Sequence, residues 1–374
     1  MTRILISGTG VYTPPHSISN EELVASYNAY VDKFNTENKQ AIENGELEAK
    51  EHSSAAFIQK ASGIESRYVV DKENVLDINI MAPRLRPRSN DEPSIFAEIS
   101  VNAAKQALEN ANLQANDIDA VIVSCSNTER AYPQIAVEVQ DILGIQGFGF
   151  DMIVGCASAA FAINVASDMI KSGSAGRVLM LNPEICSGHL NFCDRDSHFI
   201  FGDVCTAAII EREDLCQSEN AFEVLATKLY TQFSNNIRNN GGYLNRATPE
   251  TMFDDDKLFV QNGRSVFKEV LPLVSQMILD HLAENNLTSD NLSRMWLHQA
   301  NINMNDFLGK KIMGRTPEPA EQPNILQEYA NTSSAGSIIA FHQNKLDLNI
   351  GDIGILCAFG AGYSAGNMIL KKYN

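Results

Sequence analysis

The chain of 374 residues carries one structural plan twice, and this repetition restricts its fold more than any other feature. In the first half, the apolar strand DAVIVSC is followed by a corner at Cys156, a helix of small residues, a glycine and the strand RVLMLN. In the second half, RMWLHQA is followed by a corner at Asn331, the segment TSSAGSIIAFHQNKL, Gly351 and the strand IGILCAFG. Internal repeats mark repeated structural units. We therefore expect two related halves, 1–217 and 218–374, whose corners meet at a common centre.

The predicted strands are continuous apolar runs separated by amphipathic helices. This pattern is typical of strands that are buried on both faces, so it predicts a layered α/β fold. The polar segment 19–63 is predicted to be helical and to open with a capping box formed by Ser19 and Glu22. Residues 70–93 contain three prolines, and we expect them to form a long surface loop.

Charge and cysteine content exclude several classes of protein. A formal net charge of −17 argues against nonspecific nucleic-acid binding, which needs clustered Lys and Arg. The seven cysteines have neither CxxC nor Cys/His spacing, which argues against a disulfide framework or a zinc site and indicates a reducing cytosol. Because neither a signal sequence nor an apolar run of about 18 residues is apparent, we expect a cytoplasmic protein that does not bind a membrane.

Cys156 is the candidate nucleophile. It follows the strand FGFDMIV and precedes a helix that is expected to end at Gly173. A thiol at a helix N-terminus lies beside unpaired backbone N–H groups and the positive end of the helix dipole, which favour the thiolate. The alternative is a small apolar core residue, since free cysteines are among the most buried residues.

Two further polar residues follow buried strands: His298 in WLHQAN and Asn331 in YANTSSAG. Alone, the histidine has the alternative of a hydrogen-bonded core residue, and the asparagine that of a helix N-cap. With Cys156 they supply a nucleophile and two neutral hydrogen-bond donors, which suit thioester formation and stabilisation of an enolate. The glycines of CAFGAGYSAG allow close backbone approach and offer N–H groups for an oxyanion hole.

The segments GCASAAFAI, FIFGDVCTAAII, HQANI, YANTSSAGS and AFGAGYSAG occur in this order along the chain. In these motifs, and over nearly its whole length, the chain resembles the β-ketoacyl-acyl carrier protein synthase III enzymes of the thiolase superfamily. The resemblance implies a five-layered αβαβα fold built from two duplicated halves, a homodimer, and a catalytic triad of Cys156, His298 and Asn331. Thiolases would carry a second cysteine in the last motif, and elongating synthases a histidine in place of Asn331.

The resemblance also implies the reaction, a decarboxylating Claisen condensation of an acyl-CoA primer with malonyl-acyl carrier protein in fatty acid biosynthesis. Cys156 would take the acyl group from coenzyme A, with the oxyanion held by the N–H groups of Cys156 and Ala361. His298 and Asn331 would then bind the malonyl thioester oxygen. No metal or redox cofactor is expected, only coenzyme A thioester and phosphopantetheine-bound substrates.

Binding contacts follow from the resemblance as well. Arg195 matches an arginine near the coenzyme A nucleotide, and Tyr132 matches an aromatic residue that crosses the dimer interface to close the partner's acyl pocket. Three lysines match positions that dock the acidic carrier protein: Lys268, Lys310 and Lys311. Solvated surface lysines and a plain interface aromatic are the alternatives.

The chain departs from the family pattern at the coenzyme A mouth. Phe57 replaces the tryptophan that contacts adenine, while Ala61 and Asn303 occupy positions where arginines are expected. Together with extra segments at 28–55 and 70–93, these changes lead us to expect an unusual acyl donor, of medium chain length.

Two other functions remain open from the sequence. One is a related condensing enzyme or acyltransferase of secondary metabolism, including head-to-head acyl condensation. Relatives that catalyse that reaction carry a glutamate where this chain has Tyr132, and Glu129 is out of register. The other is an inactive subunit of a heterodimer, against which the intact triad argues.

Overall fold

The computed structural model describes residues 2–252, 254 and 256–374. The strands within this part of the chain are β1 (Ile4–Tyr12), β2 (His16–Ser19), β3 (Ser66–Val69), β4 (Ala120–Cys125), β5 (Phe148–Ile153), β6 (Arg177–Ile185), β7 (Asp203–Arg212), β8 (Phe222–Thr231), β9 (Ile237–Arg238), β10 (Val260–Gln261), β11 (Leu292–Leu297), β12 (Ile353–Gly360) and β13 (Ser364–Lys372). The α-helices are α1 (Asn20–Glu37), α2 (Lys39–Glu43), α3 (Ala55–Ser62), α4 (Lys72–Leu76), α5 (Ile95–Ala111), α6 (Ile135–Leu143), α7 (Ser158–Ser172), α8 (Gly263–Glu284), α9 (Ile302–Met313), α10 (Leu326–Tyr329) and α11 (Gly336–Gln343).

A large mixed sheet forms the centre of the protein, with the strand order β11-β12-β13-β8-β1-β7-β6-β4-β5. β1 and β8 join its two parts through only two residue pairs, Leu5 with Glu223 and Ile6 with Phe222. Long antiparallel ladders lie on either side of this junction, β1 with β7 and β8 with β13. The sheet therefore divides into a five-strand N-terminal part and a four-strand C-terminal part.

Helices cover both parts of the sheet and fill the space between them. Small and apolar residues of α7 and α11 form one core with side chains from both parts of the sheet. α5 and α6 pack on the outer face of the N-terminal part, and α8 and α9 pack on that of the C-terminal part. The resulting five layers are the predicted αβαβα arrangement.

The repeated plan of the sequence recurs in three dimensions. β6 lies parallel to β4 after α7, and β12 lies parallel to β11 after α11. α7 ends at Gly173 in a left-handed conformation, as predicted. The second small-residue helix is shorter than its sequence pattern indicated, because Ser333–Ala335 form a 3-10 turn before α11 begins. The proposed division at 217/218 falls in the connection between β7 and β8.

The N-terminal polar segments form a cap beside the main sheet. The Ser19 hydroxyl accepts the Glu22 N–H at 3.2 Å and the Glu22 carboxylate accepts the Ser19 N–H at 3.0 Å, which is the predicted capping box. Residues 70–93 have little regular structure apart from α4. Apolar residues of this cap pack against the segment 186–201, which borders the site described below. No helix among the described residues combines the length and the apolarity that crossing a bilayer requires.

Candidate active site

Cys156 lies in a 3-10 turn, Gly155–Ala157, between β5 and α7, at the corner that the sequence predicted. Ser158 holds the corner closed, since its hydroxyl accepts the Val154 N–H at 3.0 Å. Gly360, the last residue of β12, faces the cysteine so closely that a Cβ there would lie 2.6 Å from the Cys156 Cβ. The nucleophile is thus held between elements of both halves.

The position of Cys156 before a helix favours the thiolate, but the surroundings of the side chain favour the neutral thiol. Burial raises the pKa of Cys156 to about 11, and the charge of Glu184 acts in the same direction. The Ser333 hydroxyl, which donates to the sulfur at 3.4 Å, and main-chain hydrogen bonds from Cys156 and Ala361 lower the pKa. The free protein therefore keeps this thiol protonated at neutral pH, contrary to the sequence-based argument for a thiolate. The N–H groups expected to form the oxyanion hole do face the sulfur.

His298 follows β11 and is almost fully buried, with 2% of its surface exposed. Its N–H donates to the Cys357 carbonyl at 2.7 Å, and its ring lies edge-to-face against Phe359 with the centroids 5.2 Å apart. Burial lowers the pKa of His298 to about 4, although a main-chain hydrogen bond with Ser333 partly opposes this. The imidazole is therefore neutral at neutral pH and carries one N–H that can be donated.

Asn331 is fixed by backbone hydrogen bonds to the segment that precedes β7. Its N–H donates to the Ile200 carbonyl at 3.0 Å, and its own carbonyl accepts the Gly202 N–H at 3.1 Å. The side-chain Oδ1 accepts the Ser333 N–H at 2.9 Å. Because the oxygen is engaged, the side-chain NH₂ group is left to donate to a ligand.

Two neighbouring cavities open onto these residues. Cys156, Ser333 and Ala361 line a cavity of about 490 Å³, and Asn331 lines a second one of about 420 Å³. Phe259 belongs to the wall of the first and Gln261 to that of the second, so the segment that ends in β10 borders both. His298 is buried and is not among the residues that line either cavity. The predicted meeting of the corners at Cys156 and Asn331 is therefore found only in part: the two turns touch through Ser333, while Cys156 and Asn331 themselves line different cavities.

Arg195 and Phe57 lie together near the second cavity, which Phe57 lines. The guanidinium carbon of Arg195 is 4.6 Å from the centre of the Phe57 ring. The Arg195 Nε donates to the His52 carbonyl at 2.9 Å. Phe57, which replaces the expected tryptophan, therefore contacts Arg195, the arginine that matches the family's coenzyme A contact. Asn303 donates to the carbonyl of Ala61, so the two positions without arginine are hydrogen-bonded to each other.

The three predicted docking lysines are exposed on the outer helical layer, Lys268 on α8 and the pair Lys310 and Lys311 in the last turn of α9. Tyr132 lies apart from the two cavities and is 82% exposed. Glu129 accepts the Phe96 N–H at 3.0 Å at the start of α5. Relatives that catalyse head-to-head condensation carry a glutamate base at the position of Tyr132. Glu129, the glutamate that lies near this position in the sequence, therefore makes a structural hydrogen bond instead.

Sequence reasoning missed two polar residues at the site. Ser333 has a left-handed backbone, with φ at 51°, and contacts the sulfur of Cys156. Glu184 is a buried carboxylate near the end of β6 whose charge acts on the same thiol. A carboxylate in the mostly apolar strand RVLMLNPEI was the one indication available in the sequence. Among the described residues, no group of three or more His, Cys, Asp or Glu side chains is arranged to hold a metal ion.

Comparison with known proteins places these residues in a family. The family described as "3-Oxoacyl-[acyl-carrier-protein (ACP)] synthase III" matches residues 150–232, and its C-terminal part matches residues 282–372. A β-ketodecanoyl-acyl carrier protein synthase from Pseudomonas aeruginosa is 57% identical over 348 residues, which cover 93% of this chain and 99% of that one. A β-ketoacyl-acyl carrier protein synthase III from Granulibacter bethesdensis is 28% identical over 376 residues, or 99% and 100% of the two chains.

A solved structure of known fold superposes on the chain. The crystal structure of 3-oxoacyl-acyl carrier protein synthase III from Aquifex aeolicus superposes with a TM-score of 0.76 at 24% identity, covering 99% of this chain and 100% of that one. The thiolase-like fold that the sequence predicted is confirmed. The chain belongs to the 3-oxoacyl-acyl carrier protein synthase III family, condensing acyltransferases that join an acyl-CoA to malonyl-acyl carrier protein in fatty acid biosynthesis.

Proposed function

We propose that the chain condenses an eight-carbon acyl-CoA with malonyl-acyl carrier protein to give β-ketodecanoyl-acyl carrier protein. The Pseudomonas aeruginosa relative that is 57% identical is named for a β-ketodecanoyl product. A decarboxylating condensation with a malonyl group lengthens the primer by two carbons. A ten-carbon product therefore corresponds to an octanoyl primer.

The cavity beside Cys156 is the observation that carries this proposal. At about 490 Å³ it exceeds what an acetyl group needs. If each carbon of an acyl chain takes up about as much space as a water molecule, about 30 Å³, an octanoyl chain needs about 240 Å³. Apolar side chains for such a chain line the cavity: Ile153, Phe201, Phe233, Ile237 and Phe259. The chain therefore has room for a medium-length primer next to its nucleophile.

The first half-reaction transfers the acyl group to Cys156. The sulfur loses its proton and attacks the thioester carbonyl, the C–S bond to coenzyme A breaks, and the coenzyme A thiol leaves with a proton. The N–H groups of Cys156 and Ala361 lower the pKa of the sulfur, and they are suited to hold the tetrahedral oxyanion. Ser333 donates to the same sulfur and so favours the thiolate when it forms and when it is later expelled.

The second half-reaction forms the carbon–carbon bond. The malonyl group loses carbon dioxide, and the electron pair of the broken bond becomes an enolate whose oxygen accepts hydrogen bonds from His298 and Asn331. The enolate carbon attacks the acyl thioester, and Cys156 leaves as thiolate. A neutral His298 and the unengaged NH₂ group of Asn331 suit this task, since both can donate to a developing negative charge. Each step uses only the side chains named here and the two thioester substrates.

The second cavity is the entry that we propose for the pantetheine arm. Arg195 and Phe57 at its rim offer a cationic group and an aromatic face to the adenine nucleotide of coenzyme A. Lys268, Lys310 and Lys311 offer positive charge to the acidic carrier protein on a chain whose net charge is −17.

We also propose that the protein is a homodimer that works in the cytoplasm. β5 forms one edge of the sheet, and apolar residues on and near this edge are exposed: Tyr132, Val137, Ile142, Phe148 and Ile153. An exposed strand edge with apolar neighbours is a natural pairing surface for a second copy. The seven free thiols suit a reducing compartment.

Intact-protein mass spectrometry tests the primer. The protein is incubated with acyl-CoA thioesters of two to about twelve carbons, and Cys156→Ala serves as the blank. We expect one acyl adduct per chain, largest with octanoyl-CoA and absent from the variant. Preferential loading of acetyl-CoA would overturn the assignment of chain length, and an adduct that persists in Cys156→Ala would overturn the assignment of the nucleophile.

A further inference from the structure

Glu184 is a buried carboxylate in the layer beneath the active site, with 1% of its surface exposed. Its Oε1 accepts the Ser126 N–H at 3.0 Å, the Ser334 N–H at 3.3 Å and the Ser334 hydroxyl. Its Oε2 accepts the Ser126 hydroxyl and, at 3.8 Å, the Cys186 thiol. Besides this weak thiol contact, four donors from two serines converge on one carboxylate, which is the arrangement that compensates a buried negative charge.

The two donor residues belong to different halves of the protein. Ser126 follows β4 in the N-terminal half, whereas Ser334 lies in the 3-10 turn of the C-terminal half, three residues after Asn331. The same turn carries Ser333, whose hydroxyl contacts Cys156. The carboxylate therefore joins the strand scaffold of one half to the catalytic turn of the other.

We propose that Glu184 is a positioning residue for the condensation, through its hold on the 331–335 turn and through its charge beside Cys156. Without it, the turn would lose its attachment to β6. Asn331 would keep its backbone hydrogen bonds to residues 200 and 202, but the rest of the turn, including Ser333, would be held less firmly relative to the sulfur. The inference deepens the proposed function and depends on it for the role of Asn331. The effect of the charge on Cys156 does not depend on the substrate.

The charge of Glu184 gives this role a measurable signature. Burial raises the pKa of Glu184 to about 7, while the hydrogen bonds from the two serines lower it. The other titratable groups around the carboxylate are Asp203 and the thiols of Cys125, Cys186 and Cys205. Burial raises the pKa of the three thiols, which remain neutral, and that of Asp203 to about 6. Ionised Glu184 raises the pKa of Cys156, and the thiol should therefore be less reactive above pH 7 than it would be beside a neutral group.

The test compares Glu184→Gln, Glu184→Ala and a control. Glutamine keeps the shape, and its oxygen can accept the Ser126 and Ser334 N–H groups and the Ser334 hydroxyl. Its NH₂ group would donate to the Ser126 hydroxyl, so the charge is removed while most of the contacts that hold the turn remain. Alanine removes both the charge and the contacts. The control is Glu211→Gln, another buried carboxylate, which pairs with Arg177 at the other end of the same strands. Glu184 lies seven positions after Arg177 on β6, about 23 Å away along a strand.

Two measurements decide the outcome. The first is the rate at which iodoacetamide alkylates Cys156, followed by peptide mass spectrometry from pH 5.5 to 9. We expect Glu184→Gln to react about threefold faster than the parent above pH 8, and to react equally below pH 6, where the parent carboxyl is protonated. The second is malonyl-acyl carrier protein decarboxylation, which we expect to fall at least about tenfold in Glu184→Ala and to remain within about threefold of the parent in Glu184→Gln and in the control.

Parallel alkylation curves for the parent and Glu184→Gln at every pH would overturn the charge effect. Parental decarboxylation by a folded Glu184→Ala would overturn the positioning role. If the alanine variant does not fold, the glutamine curve still decides, because a purely structural contact would not produce a difference that disappears below pH 6. Alkylation needs no substrate, so failure of the proposed octanoyl transfer leaves this measurement intact.

Discussion

Replacing Gly360 by alanine should inactivate the nucleophile with only a moderate effect on folding. Gly360 ends β12 directly against the Cys156 turn. An added Cβ would lie 2.6 Å from the Cys156 Cβ and 3.0 Å from its Sγ. Carbon atoms in contact prefer separations of about 3.5–4.0 Å. The substitution therefore requires the turn and the strand to separate by about 1 Å.

The displacement sets the size of the two effects. Overpacking of one methyl group in a well-packed core costs about 1–3 kcal/mol of the free energy of unfolding. A misplacement of about 1 Å between reacting groups can cost about 100-fold in rate. Since the added methyl group contacts the nucleophile itself, we expect acylation of Cys156 to slow by about 100-fold while the protein remains folded.

Gly366→Ala is a matched control, because a Cβ at Gly366 would lie 2.6 Å from the Ala160 Cβ, one helical turn beyond Cys156 on α7. Thermal unfolding would measure the stability of both variants, and the time course of octanoyl adduct formation would measure acylation. We expect similar losses of stability but a much larger loss of acylation in Gly360→Ala. Equal acylation rates in the two variants would refute the argument that contact with the cysteine turn, rather than overpacking in general, disables the site.

Three further predictions concern the triad, the thiol and the docking surface. His298→Ala and Asn331→His should reduce decarboxylation of malonyl-acyl carrier protein by about 100-fold and acyl loading far less, because both side chains are assigned to the enolate oxygen. Equal losses in both half-reactions would contradict that division. Because the pKa of Cys156 is raised to about 11 and the thiolate is the reactive form, its alkylation rate should rise about tenfold per pH unit from pH 8 to 10; a plateau that begins below pH 8 would contradict the raised pKa. Reversing the charges of Lys310 and Lys311 should raise the KM for malonyl-acyl carrier protein about tenfold at low salt and less at high salt, with loading from acyl-CoA unchanged.

The lysine prediction needs a control for net charge. Lys39 and Lys171 are exposed on α2 and at the end of α7, away from the α8 and α9 layer. The double variant Lys39→Glu and Lys171→Glu changes the total charge equally. An increase in KM of the same size in this variant would assign the effect to overall repulsion and not to docking.

The architecture could be predicted from the sequence because the same apolar pattern that buries the strands also marks the repeat. The corners at Cys156 and Asn331 could be predicted from local features of the sequence, namely the ends of apolar strands, a glycine and an asparagine. That the corners would touch followed from the repetition alone. The two turns do touch, through Ser333 and the Cys156 sulfur over a separation of 177 residues, although Asn331 itself lines a different cavity.

The electrostatics of the site could not be predicted in the same way. The position of Cys156 before a helix indicated a low pKa, but the pKa depends on burial and on the charge of Glu184, which the tertiary structure alone determines. Glu184 itself follows apolar residues of β6, and its partners Ser126 and Ser334 are far apart in sequence. The division of the site between two cavities depends on where the segment before α8 lies, and that segment shows no periodic pattern.

The boundary between the two halves, here called the seam, is joined in the sheet by the short pairing of β1 with β8. The activity of the protein should therefore depend on whether this seam stays closed. Among the described residues, only two residue pairs of the sheet cross it. Beside the shared core of α7 and α11, the contacts between the Cys156 and Ser333 turns and the Glu184 hydrogen bonds cross it at the site. A small separation of the halves would disconnect the nucleophile from Asn331 and leave the outer helical layers and their cores intact. Loss of condensing activity in denaturant would then precede loss of secondary structure, and enzymatic inactivation would report the opening of this seam before either half melts.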